Sequence, residues 1–125
     1  MGPKILVADD DVGSRALIRT ALCGFDVFEV GDGIELLELL SHENQYSLIV
    51  TDIRMGWFDG IHAAASVRTA GISAPIILLT GQTDSGVAQR AARIPDSVLI
   101  HKPFSIREFV SRVHGLLRRS MCPVC

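Results

Sequence analysis

The chain has 125 residues, 48% of them apolar and 21% charged, with a net charge of −2 when histidine is neutral. That is enough for one compact domain with a real core and too little for two. No basic stripe speaks for nucleic acid, no apolar run approaches the roughly eighteen residues of a membrane span, and the start Met1-Gly2-Pro3-Lys4 lacks a signal-peptide core.

The first element is a continuous apolar run, Ile5 to Ala8, followed by three acids, Asp9, Asp10 and Asp11. Leu17, Ile18, Ala21 and Leu22 then fall at helical spacing. A second run, Phe25 to Val30, is interrupted by Asp26 and Glu29. Gly31-Asp32-Gly33 reads as a tight turn rather than a phosphate cradle, and Ile34, Leu37 and Leu40 give the stripe of a second helix. Leu48 to Thr51 is a third run, ending on Asp52. After Asp59-Gly60 a helical stripe of Ile61, Ala64 and Val67 follows. A fourth run, Ile76 to Leu79, leads to Thr80-Gly81, and Val87, Ala88, Ala91 and Ala92 form a weaker stripe. The last run, Val98 to Ile100, leads to His101-Lys102-Pro103. Ser105 with Glu108 is a capping box that opens the clearest helix, with Ile106, Phe109, Val110, Val113 and Leu117 on one face. Residues 1–119 read as one domain, and 120–125 as a C-terminal tail or the start of a linker, with Met121 beyond the last helix.

Continuous rather than alternating apolar runs mark strands covered on both faces. Five alternations of strand and helix predict an α/β fold with a doubly wound parallel five-stranded sheet. Right-handed crossovers leave few topologies, and the order 2-1-3-4-5 is the common one. All strands of such a sheet point the same way, so their C-terminal ends share one rim, where open α/β sheets bind ligands. Asp9, Asp10, Asp52, Thr80 and Lys102 each follow a buried run and so converge there. Carboxylates this close repel, and at least one would have a raised pKa without a counter-charge. Mg²⁺ resolves the conflict, because it takes oxygen ligands and binds with one or two carboxylates plus phosphate oxygens. Lys102 and Thr80 then suit an anion sharing the site, as in phosphoryl transfer, and a spare acid can be the nucleophile. Taken singly, each of these residues is ordinary turn or cap chemistry; the joint placement carries the reading.

These residues resemble the receiver domain of two-component response regulators, a flavodoxin-like fold. The resemblance covers residues 4 to 118. It rests on Ile5-Leu6-Val7-Ala8-Asp9-Asp10-Asp11 with Arg15, on Thr51-Asp52-Ile53-Arg54-Met55 with Asp59-Gly60, on Pro75 through Thr80-Gly81, and on His101-Lys102-Pro103-Phe104. It implies that Asp52 accepts a phosphoryl group from a phosphohistidine on a histidine kinase or phosphotransfer protein. Asp10 and Asp52 would hold Mg²⁺ through their side chains and Arg54 through its carbonyl, with Asp9 acting through a bound water. Thr80, Lys102 and the Gly81 N–H would contact the phosphoryl oxygens. A cis Lys102-Pro103 bond would aim the lysine inward, and the output would be a shift between two conformations across the fourth helix, fifth strand and fifth helix.

Four departures from the family pattern carry expectations of their own. Gly56 stands where proline is common and predicts a looser loop. Leu99 stands where Tyr or Phe is usual, so the aromatic signalling switch is absent. Arg93 to Ser97 replaces a Gly-Ala-rich turn and reshapes the signalling face. Arg54 is either a shield against attacking water or a solvated surface arginine.

Two other readings stay open on sequence. A pseudo-receiver would be a pure interaction module. A haloacid-dehalogenase-type phosphatase would use Asp9 as nucleophile with Asp11 two residues on, but it lacks later metal-binding acids and room for a cap. On the receiver reading the chain is a signalling domain with at most self-phosphorylation and self-dephosphorylation chemistry, a monomer or weak dimer, with no nucleic-acid or membrane partner and no legible downstream target. Three cysteines, Cys23, Cys122 and Cys125, form no disulfide framework and fit a reducing cytoplasm. Cys122 and Cys125 with His114 fall one ligand short of a zinc site. His42, His62 and His101 read as surface or partly packed residues, and Trp57 lies in the loop just after Asp52.

Overall fold

The computed structural model describes residues 3–42, 45–56, 58–81 and 85–121. In chain order the elements are β1 (Lys4–Ala8), α1 (Val12–Ala21), β2 (Asp26–Val30), α2 (Gly33–His42), β3 (Leu48–Asp52), β4 (Arg54–Met55), β5 (Phe58–Asp59), α3 (Gly60–Thr69), β6 (Ile76–Thr80), α4 (Ser85–Ala92), β7 (Ser97–His101) and α5 (Ile106–Met121). The five long strands form a parallel sheet of order β2-β1-β3-β6-β7. Counting the long strands alone, this is the expected 2-1-3-4-5. The two short strands β4 and β5 form an antiparallel hairpin that the sequence reading lacked.

Strand periodicity explains why the central runs are apolar throughout. Successive side chains point to opposite faces. Leu6 and Ala8 of β1, Ile49 of β3 and Ile76 and Leu78 of β6 join one core with Leu36 and Leu40 of α2, Ile61, Ala64 and Val67 of α3 and Val87 and Ala91 of α4. Ile5, Val7, Leu48, Val50, Ile77 and Leu79 join the other, with Ile18 of α1 and Phe109, Val113 and Leu117 of α5. Strands β3 and β6 are buried along their whole length. The edge strand β2 is half open, which accounts for its two acids: Glu29 takes a bidentate ion pair from Arg19 of α1, at 2.6 and 2.7 Å, with Arg15 Nε 4.0 Å away.

Several helix faces differ from expectation. On α2 the buried residues are Gly33, Leu36 and Leu40, while Ile34 and Leu37 are exposed. Ala88 and Ala92 of α4 are exposed beside buried Val87 and Ala91. Ile106 is exposed at the start of α5, while Leu116, further along the helix, joins the core. Helix α5 also includes Met121. The Ser105 cap is present, its hydroxyl accepting from the Glu108 N–H at 3.0 Å. Among the described residues no helix is long and apolar enough to cross a membrane.

Gly60 marks a close approach that matters for the site. Its N–H donates to the Ile53 carbonyl at 2.7 Å. A methyl group at this position would run into the Asp52 carbonyl oxygen and stand 3.0 Å from Ile53 Cα. Helix α3 can start this close to the end of β3 only because residue 60 has no side chain.

Candidate functional site

The register sets the site. Ala8 of β1 lies beside Thr51 of β3, so Asp9 and Asp52 emerge level with each other. Both continue the side-chain parity of Ile5, Val7, Leu48 and Val50, and Lys102 continues that of Val98 and Ile100. Lys102 Nζ stands 3.0 Å from Asp9 Oδ2 and 2.9 Å from Asp52 Oδ2. Its backbone is held as well, since the Lys102 N–H donates to the Thr80 carbonyl at 2.7 Å. The Lys102-Pro103 bond is cis, as the resemblance implies. Phe104, next along, stacks on the fully buried Phe109 of α5 with ring centroids 5.1 Å apart, tying the lysine loop to the core.

Asp9 is fully buried, with its second oxygen accepting the Asp11 N–H at 2.9 Å. Asp10 is exposed. Asp11 serves the following helix instead, its carboxylate capping α1 by accepting the Ser14 N–H at 3.1 Å. A phosphatase with Asp9 as nucleophile therefore has neither an accessible attacking group nor its partner acid. Asp52 is only 8% exposed, and its Oδ1 accepts the Arg54 N–H at 3.2 Å. Burial pushes the Asp52 carboxyl above its ordinary range, against the opposing hydrogen bonds and charge of Lys102 and the Arg54 amide. Burial alone would lower the Lys102 ammonium, but its hydrogen bonds to Asp52 and Asp9 outweigh this and raise it. The lysine therefore stays charged at neutral pH.

One carboxylate oxygen each from Asp9, Asp10 and Asp52 lie within 4.8 Å of one another. All three donors are hard oxygens, and the Lys102 ammonium sits between Asp9 and Asp52. A hard divalent cation fits such a set. Asp52, Arg54, Thr80, Gly81 and Lys102 line an open depression of about 300 Å³ beside it. Thr80 is buried at the end of β6, and Gly81 is exposed. The rim thus brings together every residue the sequence pointed to as acid, hydroxyl, lysine or backbone donor.

Leu99 and His101 point to the other face of β7; Leu99 packs half-buried against the α2–α3–α4 core, and His101 is exposed. Gly56 has φ +61, a conformation a proline ring cannot reach. After α4, Asp96 sits in the left-handed region at φ +55. Arg68 of α3 spans the turn, donating to the carbonyls of Ile72 and Pro95 at 2.8 Å and of Asp96 at 3.2 Å. Ser97 Oγ donates to the Ile94 carbonyl at 2.8 Å. His42, His62 and His114 are exposed. Trp57, Cys122 and Cys125 lie outside the described residues.

One pairing went unread in the sequence: Arg90 of α4 forms an ion pair with Asp59 of β5. No motif or periodicity signals it.

The sheet order and the acid–lysine rim are those of a receiver domain. The family model for the response regulator receiver domain matches residues 5–114, and the chain belongs to that family. It is a signalling domain of the two-component type rather than a conventional enzyme. It is 33% identical over 124 residues to response regulator MprA of Mycobacterium sp. (strain KMS), covering 96% of this chain and 53% of that protein. MprA of Mycobacterium leprae (strain TN) is 31% identical over 121 residues, covering 94% and 52%. The chain therefore spans about half the length of these curated relatives. Among solved structures it is similar to the Francisella response regulator 1452 receiver domain, with 34% identity, a TM-score of 0.86 and coverage of 95% of this chain and 99% of that one. A CheY-like receiver domain protein from Methanospirillum hungatei JF-1 shares the fold at 19% identity, with a TM-score of 0.88 and coverage of 97% and 98%.

Proposed function

We propose that this domain takes a phosphoryl group onto Asp52 from a phosphohistidine on a histidine kinase or phosphotransfer protein, in a Mg²⁺-dependent reaction in the cytoplasm. Residues 1–119 form the working domain, and Ser120 and Met121 still belong to α5. The observation that carries this reading is the single ammonium of Lys102 set between Asp9 and Asp52, with Asp10 beside them.

An Asp52 oxygen attacks phosphorus; the new O–P bond forms as the P–N bond breaks, and the imidazole nitrogen leaves with the bonding pair. Asp10, Asp52 and the Arg54 carbonyl would hold the cation, which would supply charge neutralisation for the transfer. Lys102 balances charge on the transferred group, and the Thr80 hydroxyl and Gly81 N–H donate to its oxygens. Asp9, fully enclosed, orients Lys102 and would serve the cation through a bound water. Phosphorylation adds charge and acceptor oxygens that Thr80 and Lys102 follow, and the surface of α4, β7 and α5 carries the output. With leucine at 99, that output proceeds without an aromatic switch. Arg54 is exposed and lines the acceptor depression, a position from which it shields the phosphoryl group from attacking water.

Calorimetric titration with Mg²⁺ tests the metal half. Binding is expected in the wild type, lost in Asp10→Asn, and retained in Asp11→Asn, where asparagine still caps α1. Equal binding by wild type and Asp10→Asn would remove the metal site.

A further inference from the structure

The Arg90–Asp59 pair joins α4 to the β4–β5 hairpin, beside the core that Met55, Phe58, Val87 and Ala91 share. Arg90 projects from α4, the helix next to the acceptor depression; Asp59 ends the β4–β5 hairpin that follows Asp52. Between them lies a cavity of about 280 Å³ lined by residues that include Arg54, Gly56, Phe58 and Val87. The ion pair crosses this space from α4 to the hairpin.

Asp59 is held firmly enough to transmit the tie. Its Oδ1 accepts the Ile61 N–H at 2.9 Å and the His62 N–H at 3.4 Å, making it the N-cap of α3. Its Oδ2 takes Arg90. Its backbone pairs with Arg54 across the hairpin, and the Arg54 N–H donates to Asp52 Oδ1 at 3.2 Å. That last bond is already at the long end of the normal range, so a small shift of the hairpin would lose it.

We infer that Arg90 is a positioning residue for the metal half of the site: through Asp59 it fixes the hairpin that sets the Arg54 backbone against Asp52. The inference rests on the proposed Mg²⁺ site. It makes α4 and the cation site partners in one equilibrium, so that by linkage each steadies the other.

The sign of one measurement separates this role from a plain charge effect. Removing a cation near a Mg²⁺ site strengthens Mg²⁺ binding through space. Loosening the hairpin weakens it. Arg90→Gln is expected to bind Mg²⁺ about two- to five-fold more weakly than wild type, the range for a partly exposed ion pair. Arg90→Lys, which keeps the charge, is expected to recover part of the loss. In an Asp59→Asn background, which keeps a capping oxygen, Arg90→Gln is expected to cause no further weakening. Hydrogen exchange gives a readout independent of activity: Mg²⁺ should slow exchange of the Arg54 amide and of α4 in wild type, and do so less in Arg90→Gln. Urea midpoints confirm that each variant is folded. Unchanged or tighter Mg²⁺ binding by folded Arg90→Gln would overturn the inference while leaving the acceptor reading intact. Absence of Mg²⁺ binding by the wild type would instead bring down that reading, and this inference with it.

Discussion

Replacing Gly60 by alanine should destabilise the domain even though alanine is the better helix former. Gly60 is the first residue of α3, and its missing side chain lets the helix start against the end of β3. The added methyl would stand 3.0 Å from Ile53 Cα, inside the ordinary 3.4–4 Å contact range, with the Asp52 carbonyl oxygen closer still. Both obstacles are backbone, at the end of a strand buried along its length and just past it, so no rotamer change relieves them. Overpacking of this kind costs roughly 1–3 kcal/mol, while exchanging glycine for alanine in a helix returns at most about 1 kcal/mol. The net expectation is a loss of up to about 3 kcal/mol, read as a lower urea midpoint at unchanged slope. Because the collision falls on Asp52 itself, Mg²⁺ affinity should fall too. Gly115→Ala in α5 is the control: nothing lies within 4 Å of its would-be methyl, so it should gain about 0.5–1 kcal/mol. Were Gly60→Ala as stable as Gly115→Ala and unimpaired in Mg²⁺ binding, the close-approach argument would be wrong.

Lys102→Ala leaves Asp9 and Asp52 facing each other without their ammonium, so the metal-free protein should lose about 1–3 kcal/mol and recover part of it in Mg²⁺, measured as melting temperature with and without the ion. Arg54→Ala should shorten the lifetime of the phosphorylated form severalfold; an unchanged decay rate would assign Arg54 to the solvated surface. Glu29 is held below its ordinary pKa, first by the Arg19 hydrogen bonds. Its contribution to stability is therefore present above the unfolded-state pKa of about 4.3 and is lost as pH falls through the lower folded value. Glu29→Gln should narrow the gap between urea midpoints at pH 7 and at about pH 3. An unchanged gap would contradict that assignment.

Much of this molecule is legible in its sequence because two simple rules dominate it. A strand covered on both faces must be apolar at every position, so Ile5 to Ala8, Leu48 to Thr51 and Ile76 to Leu79 declare themselves. A parallel sheet gathers its strand ends on one rim, so Asp9, Asp52, Thr80 and Lys102 meet. Where the rules are silent, spacing does not decide. Helix α2 carries Ile34, Leu36, Leu37, Leu39 and Leu40, apolar nearly all round, and spacing alone did not choose the buried face. The β4–β5 hairpin has two residues per strand, too short for a period to show. Pro123 is the first strong breaker after Ser105, so the end of α5 had no earlier marker. Asp59 and Arg90 are separated by 31 positions, and only folding brings them together.

The central claim is that Asp52 is the acceptor and that its neighbours make it one. Incubation with acetyl phosphate and Mg²⁺, followed by intact mass, tests it most directly. The account predicts a gain of one phosphoryl group in wild type, none in Asp52→Ala and none once Mg²⁺ is chelated. An equal gain in Asp52→Ala, or no gain in wild type, would contradict it.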